Sequence, residues 1–315
     1  MSQLPTSAVL YSRLLGRARL RHLQLLVAIA DHGNLRHAAD QVGMSQPAAT
    51  QALAELELLL ATPLFERHAR GMRLSAAGRL LIPVVRQMLL ALRASTESLS
   101  ALQQGESLLR VGMIPAAASA LARVLVREFA PRHPGVRLEI REDGGEHLLQ
   151  ALASGGLDLV LGRRPAQLAA AIEFHPLLGD AAVVLAGCQH PLADRPALSL
   201  RELQSARWML APAGFMVRDM LDRCLAAGDK PAPAHSVSTT SLAFLVEILR
   251  DNETIALVPR SLGHALCEWG LTCALDVTDT LELEGIGLLA TADSIRHPAA
   301  QALLEMLRAS TEPVG

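Results

Sequence analysis

The sequence predicts an α/β protein in three parts: an N-terminal winged helix-turn-helix, a long linker helix, and a two-lobed α/β domain. Three observations carry this. A capped helix start at Ser45-Gln46-Pro47 follows a short helical pattern and a Gly43-Met44 turn. An apolar seam spaced alternately by four and three residues runs from Leu81 to Leu102. After Gly105 the pattern changes to alternating strands and helices. The expected boundaries are 1–18 for an N-terminal extension, 19–76 for the helix-turn-helix head, 77–105 for the linker and 106–315 for the α/β domain.

Taken in order, residues 1–18 are compatible with an arm, a short helix or an artefact of start-site choice. From Leu20, the residues Leu20, Leu23, Leu26, Val27 and Ala30 recur at helical spacing and stop near Gly33. Asn34 is a capping residue for a shorter helix, roughly 35–42, in which Ala38 and Ala39 are small enough for a close crossing. Ser45 caps the next helix, and Pro47 is tolerated because the first turn has no intrahelical N–H partner to lose. In such a pair the second helix enters the DNA major groove, so Gln46, Thr50 and Gln51 are the side chains positioned to meet base edges.

No Lys or Arg stands between Arg36 and Arg67, so this helix offers hydrogen bonds and methyl contacts but little counterion release. Phosphate attraction is therefore expected from elsewhere: Arg67, Arg70 and Arg73 stand around the turn-forming Gly71, read as a two-stranded wing from which they reach phosphates or the minor groove. Residues 1–80 carry nine Arg and five acidic residues, net +4, while the whole chain carries −2. That asymmetry fits nucleic-acid contact at one end only. With few cations per head, useful affinity calls for two or more heads on one duplex.

From Ser75 a helical pattern runs to about Gln104. Leu81, Val85, Met88, Leu92, Ser95, Leu99 and Leu102 describe a coiled-coil seam, interrupted chemically by Pro83 in the third turn. The reading of this segment is a pairing helix in a homodimer or homotetramer. Beyond Gly105 the expected strands are 108–113, 136–141, 157–162, 181–186, 208–211 and 286–290. The expected helices are 119–129, 146–154, 218–226, 242–250, 261–268 and 298–308. Such alternation implies a mostly parallel sheet, with crossing strands near 162–165 and 277–283 joining two lobes.

The order of residues in the head resembles the LysR-type transcriptional regulators. The resemblance rests on Ala38-Ala39, Ser45-Gln46-Pro47-Ala48, Thr50, Leu56-Glu57, Pro63-Leu64-Phe65-Glu66-Arg67, Gly71, Leu74-Ser75 and Ala77-Gly78. Gln51 and Ala52 depart from the basic residue and glutamine often found there, and Ala61 replaces a usual glycine. The resemblance implies a DNA-binding regulator with Asn34, Arg36, Ser45, Gln46, Pro47, Thr50, Gln51, Arg67, Arg70 and Arg73 at the DNA. It also implies a small-molecule effector held in a domain similar to periplasmic binding proteins.

Ligands of such sheets sit beyond the carboxyl ends of strands, at helix N-termini where free N–H groups favour anions. Three segments meet that description: Pro115, Ala116, Ala117 and Ser119; Gly214, Phe215, Met216 and Arg218; and Thr239, Thr240 and Ser241. Arg218 or Arg163 is the expected partner of a carboxylate or phosphate. Ala116 and Phe215 stand where the family commonly has hydroxyl residues, which favours a partly apolar acid over a sugar.

Against catalysis, the sequence has no phosphate loop, no Gly-x-Ser-x-Gly, no dinucleotide fingerprint and no His/Cys metal spacing, so no catalytic residue, metal or cofactor is expected. Cys188, Cys224, Cys267 and Cys273 form no Cys-x-x-Cys and read as buried reduced thiols. Redox response through Cys267 and Cys273, or an enzyme carrying a DNA-binding head, are the alternatives. No window approaches the roughly 18 apolar residues of a membrane span, and the start lacks a signal-peptide pattern, so the cytoplasm is the expected location.

Overall fold

The computed structural model describes residues 6–68, 71–226 and 232–311. The chain forms two compact units, Met1–Leu99 and Ser100–Gly315. In the first, α1 (Ser7–Arg17) and α2 (Leu20–His32) precede the helix-turn-helix, α3 (Leu35–Gln41) and α4 (Gln46–Leu60). Then come β1 (Phe65–His68), β2 (Gly71–Leu74) and α5 (Ala76–Gln103). Residues 7–17 are thus a helix, with Leu14 packed on the head's core. That core is dry and fine-grained: Leu25, Leu26, Ile29, Ala38, Ala39, Ala49 and Leu56 are almost completely buried. The alanines let α2, α3 and α4 cross closely.

Two glycines fix the wing to this core. Gly71 has φ +132°, and a Cβ there would lie 2.3 Å from the Gly33 carbonyl oxygen, which accepts the Met72 N–H at 2.7 Å. A Cβ on Gly78 would lie 2.2 Å from the Leu64 oxygen, so the first turn of α5 passes the wing at a distance that only glycine allows.

Helix α5 has 28 residues, about 40 Å at the usual rise. The seam is displaced at its start. Val85 is buried and Leu81 packs on the head's own core, whereas Leu80, Val84, Met88, Leu92, Leu99 and Leu102 are exposed. The head takes Leu81 and Val85 into its own core, so near the head the outward stripe runs through Leu80 and Val84 instead.

The second unit begins with β3 (Ser107–Met113), α6 (Pro115–Val124), a wide π-turn at Leu125–Phe129 and the short α7 (Ala130–Arg132). There follow β4 (Val136–Glu142), α8 (Gly145–Ala153), β5 (Leu159–Arg163) and β6 (Ile172–Ala186), then β7 (Arg207–Met209), α9 (Met216–Leu225) and α10 (Leu242–Leu249). The last elements are β8 (Thr254–Pro259), α11 (Arg260–Glu268), β9 (Cys273–Ala274), β10 (Glu282–Thr291) and α12 (Pro298–Thr311). The strand order is β4-β3-β5-β10-β6-β8-β7, with β9 also on β6.

Three expectations are corrected. The sheet is mixed: β3 pairs in parallel with β4 and β5, and β7 with β8, but β10 is antiparallel to β5 and β6, and β6 to β8 and β9. The outward crossing is not at 162–165, because β5 stays in the first lobe. Strand β6 itself crosses: residues 172–181 pair with β10, and 182–186 pair with β8. Its Pro176 and Gly179 conceal its length in the sequence, since both residues argue against a strand. Strand β8 is a further element absent from the sequence reading, although Thr254-Ile255-Ala256-Leu257-Val258 is a wholly buried run. β10 and α12 return to the first lobe, where Ile286, Leu288, Ala300, Leu303 and Leu307 join the core of β3 and α6.

Ala61 ends α4 in the left-handed region, φ 52°, ψ 31°, a conformation costing an L-residue about 1–2 kcal/mol. Replacing Ala61 by Gly removes that strain at the cost of some unfolded-state entropy. The expected outcome is a head more stable by about 1 kcal/mol in chemical denaturation of the full chain; no gain would mean that the turn relaxes without glycine.

Candidate nucleic-acid interface and effector cleft

The start of each helix in the helix-turn-helix is held by its predicted cap. Asn34 Oδ1 accepts the Arg36 and His37 N–H groups at 2.8 and 3.4 Å, and Ser45 Oγ accepts the Ala48 N–H at 3.4 Å. Arg21, to which the sequence pattern assigns no role, closes the turn between the helices. Its guanidinium donates to the Val42 carbonyl at 3.1 and 3.0 Å and to the Gly43 carbonyl. Gln46, Pro47, Thr50, Gln51, Ala54, Glu55 and Leu58 are exposed, while Ala49, Ala52, Leu53 and Leu56 are buried. The solvent-facing side of α4, which carries the predicted base-reading residues, is therefore the face opposite the core, as the helical period requires.

Two polar side chains on that face are engaged within the helix. Thr50 Oγ1 donates to the Gln46 carbonyl at 2.9 Å, presenting its methyl outward, and Gln51 Nε2 donates to Glu55 Oε1 at 3.0 Å. Gln51 must leave Glu55 to meet a base with both amide groups. Arg36 is exposed at the start of α3.

The wing separates its arginines. Pairing of Glu66 with Arg73 and Arg67 with Met72 puts Arg67 and Arg73 on opposite faces of the ribbon, so the two do not form one basic patch. Arg70, expected at the tip, lies outside the described residues. Glu57 anchors the ribbon by accepting the Leu64 and Phe65 N–H groups at 2.7 and 3.2 Å. Ser75 Oγ donates to the Pro63 carbonyl at 2.7 Å and accepts the Gly78 N–H at 3.0 Å, fixing the start of α5. Both Glu57 and Ser75 belong to the motif that carries the family resemblance, and these bonds give them a structural role in it.

In the second unit the predicted residues divide by lobe. Pro115 begins α6, four residues earlier than expected, because proline is suited to a first turn. Ala116 and Ala117 are buried in the core of the first lobe, leaving backbone N–H groups to face the strand end. Ser119 is one turn inside the helix, and its hydroxyl donates to the Pro115 carbonyl at 3.0 Å. Arg163 is also committed: Nη2 donates to Asp180 at 2.6 Å and Nη1 to the Glu284 carbonyl. It fastens the strands rather than offering a free cation.

The second lobe brings its residues together. Arg218 donates to Asp222 at 2.8 and 2.9 Å and to the Ala211 carbonyl at 3.2 Å, while Ser238 Oγ donates to the Leu210 carbonyl at 2.8 Å. The Gly214–Met216 loop and the Ser238–Ser241 loop are thereby tied to the same strand end. Thr239 Oγ1 accepts the Ser241 N–H at 3.0 Å, whereas Thr240 and Ser241 are exposed and Ser241 makes no side-chain cap. Phe215 and Met216 are 40% and 37% exposed, unusual for large apolar side chains at a helix start. No hydrogen bond among the described residues joins this group to residues 115–119.

The start of α8 at Gly144-Gly145, which follows β4 as α6 follows β3, is a further strand-end site that the sequence reading does not include. Beside it, the Arg141 guanidinium, the Gly144 N–H and the His147 ring hold the Asp143 carboxyl down to about 2. A separate open groove of about 530 Å³ lies along the crossing strands, lined by Arg164, Phe174, Leu177, Leu178, Glu284 and Ile286. It contains none of the predicted ligand residues.

The cysteine reading is corrected. All four thiols are free, but Cys188 and Cys224 are exposed and Cys267 and Cys273 only half-buried. Cys188 lies in the turn after β6 and Cys224 on the outward side of α9. Burial pushes the Cys273 thiol up, which lowers its thiolate population at neutral pH.

Residues 20–79 match the model of the lysR family of bacterial regulatory helix-turn-helix proteins, and residues 102–312 match the LysR substrate binding domain. The chain belongs to the LysR family. It is a LysR-type DNA-binding transcriptional regulator with an effector-binding domain. It is 28% identical over 300 residues to the HTH-type transcriptional regulator GbpR of Azospirillum brasilense, covering 94% of this chain and 87% of that protein. It is 32% identical over 291 residues to the regulator GalR of Pseudomonas putida, covering 91% and 73%. Its fold is similar to that of full-length CbnR complexed with target DNA, at a TM-score of 0.72 and 19% identity, with 93% of this chain and 99% of that chain covered.

If the exposed face of α4 reads bases, Gln51→Ala changes preference at one or two base pairs by about 1–3 kcal/mol and leaves random-sequence affinity nearly unchanged. Selection of binding sites from a randomised duplex pool, run with both proteins, checks this; identical selected sequences would remove Gln51 from the reading face.

Proposed function

We propose that the regulator responds to a small, partly apolar carboxylated molecule held between its lobes. The observation that carries this reading is the loop cluster of the second lobe. Exposed Phe215 and Met216 stand there with the exposed hydroxyls of Thr240 and Ser241, at the N-termini of α9 and α10. Apolar side chains suit the body of such a ligand, and hydroxyls with free helix N–H groups suit its charged end. The start of α6, with Ala116 and Ala117, supplies N–H donors from the first lobe. Ser119, Arg163 and Arg218 are left out of the donor set, since each already donates to a partner.

In this reading the ligand acts through the difference in its affinity for two arrangements of the assembly, and only that difference alters DNA binding. The exposed stripe Leu80, Val84, Met88, Leu92, Leu99 and Leu102 supports pairing of α5 helices in a homodimer or homotetramer. We read the chain as a regulator without a catalytic role. No helix among the described residues is long and apolar enough to cross a membrane, and the cytoplasm is the proposed location. A redox reading through Cys267 and Cys273 is disfavoured by their separate contacts, to the Thr272 hydroxyl at 3.8 Å and the Gly187 carbonyl at 3.6 Å.

Two outcomes are expected. Leu92→Glu puts charge in the exposed stripe and dissociates the assembly; an unchanged sedimentation distribution would exclude the stripe as the interface. Screening aromatic and aliphatic carboxylates by thermal shift identifies a binder. For that binder, Thr240→Ala weakens affinity by about 1.5–3 kcal/mol, more than tenfold. Ser119→Ala, whose hydroxyl already bonds its own helix, leaves affinity intact. Retained affinity in Thr240→Ala places the charged end elsewhere.

A further inference from the structure

We infer that α1, the helix ahead of the family's helix-turn-helix, is a second DNA-contacting element that holds duplex phosphates through Arg17 and Arg19. The family match begins at Leu20, so α1 and Arg19 lie outside it. The inference rests on the DNA-binding reading of the head and adds to it.

Charge is the first support. Residues 1–30 contain Arg13, Arg17, Arg19 and Arg21 and no acidic residue, whereas residues 31–80 contain five arginines and five acidic residues. The whole positive excess of the head therefore lies before the helix-turn-helix, and α4 contains no cation. A duplex binder whose reading helix carries no cation must neutralise phosphates from neighbouring elements.

Placement is the second. Helix α1 packs against α4, with Leu14 and Ala18 on the shared core and Arg13 Nη1 donating to the Leu59 carbonyl at 3.4 Å. The start of α2 is tied by Arg21 to the Val42–Gly43 turn that leads into the first turn of α4. Arg19 stands two residues before that tie, on the side of the turn that leads into α4, and Arg17 closes the last turn of α1. Arg13 and Arg21 have structural partners. Arg17 and Arg19 are fully on the surface. The partner that fits Arg17 and Arg19 is the sugar-phosphate backbone beside the groove occupied by α4, since exposed arginines in a stretch of sequence without acidic residues suit a polyanion.

The test uses the full chain and a fluorescein-labelled mixed-sequence duplex, with binding followed by anisotropy over a potassium chloride series. In the variant with both Arg17→Gln and Arg19→Gln, the slope of log affinity against log salt falls by about 0.9 for each phosphate that is no longer neutralised, roughly 2 per bound head. The Arg17→Lys, Arg19→Lys variant keeps the wild-type slope, because holding a phosphate needs charge and not guanidinium geometry. An unchanged slope in the glutamine variant overturns the inference while wild-type binding leaves the DNA-binding reading standing. A changed sedimentation distribution with an unchanged slope overturns it in favour of a role for α1 in assembly. Failure of the wild-type chain to bind any duplex overturns both readings.

Discussion

Asp180 is the constraint on which the two-lobed domain depends. Its side chain is only 2% exposed, and it sits where β6 leaves the first lobe for the second. A carboxylate removed from water to that extent must be matched. Arg163 of β5 supplies the charge at 2.6 Å, the Ala181 N–H donates at 2.9 Å, and the Ser261 N–H and hydroxyl donate at 3.4 Å from the first turn of α11. One buried group thus binds a strand of the first lobe, the crossing strand and a helix of the second. Removal of the Arg163 guanidinium would leave a buried carboxylate without its counter-charge, so the crossing geometry is held by desolvation as much as by attraction. The guanidinium that the sequence offers as a ligand partner has this structural task instead.

The same competition between local partners and ligands explains which site residues remain available. Ser119, Thr239, Thr50 and Ser238 all have hydroxyls within reach of a carbonyl or N–H group of the protein backbone, and each uses it. Short hydroxyl side chains near helix starts have this alternative built in. Thr240 and Ser241 differ because Thr239 already satisfies the Ser241 N–H, which leaves the next hydroxyls facing solvent. The proposed effector site is therefore defined less by which residues are polar than by which polar groups the chain itself leaves unused.

Much of the head is legible in the sequence because its signals are local. Asn34 and Ser45 are caps recognisable one turn away from the groups they satisfy, and Ala38, Ala39 and Ala49 mark close helix crossings at helical spacing. What the sequence conceals depends on partners distant along the chain. Nothing near Arg21 reveals the Val42 carbonyl, and nothing near Glu57 reveals the N–H groups of Leu64 and Phe65. The long β6 is hidden because Pro176 and Gly179 interrupt the pattern, although a crossing strand that pairs differently in each half tolerates both. The wing arginines group together by proximity in sequence, but a ribbon alternates faces every residue, and only the pairing register separates Arg67 from Arg73.

The head divides two tasks that many DNA-binding helices combine. Its proposed reading helix, α4, exposes Gln46, Thr50 and Gln51 and carries no cation, so in this reading its contribution depends on base identity and little on salt. The positive excess is carried by residues 1–30 instead. Base contacts specify and phosphate contacts position, and in the proposed reading the two kinds occupy different elements. Such a division would leave each head weak on its own, because few phosphates would be neutralised and Gln51 would have to exchange its bond to Glu55 for one to a base. Weak heads make the proposed pairing of α5 consequential. When two modest sites must engage one duplex together, a small change in the separation of the heads alters the effective concentration of the second for its half-site, and affinity responds without any change in the contacts of either head. A ligand in the effector domain then needs no direct influence on base reading. It needs only a different affinity for the two separations.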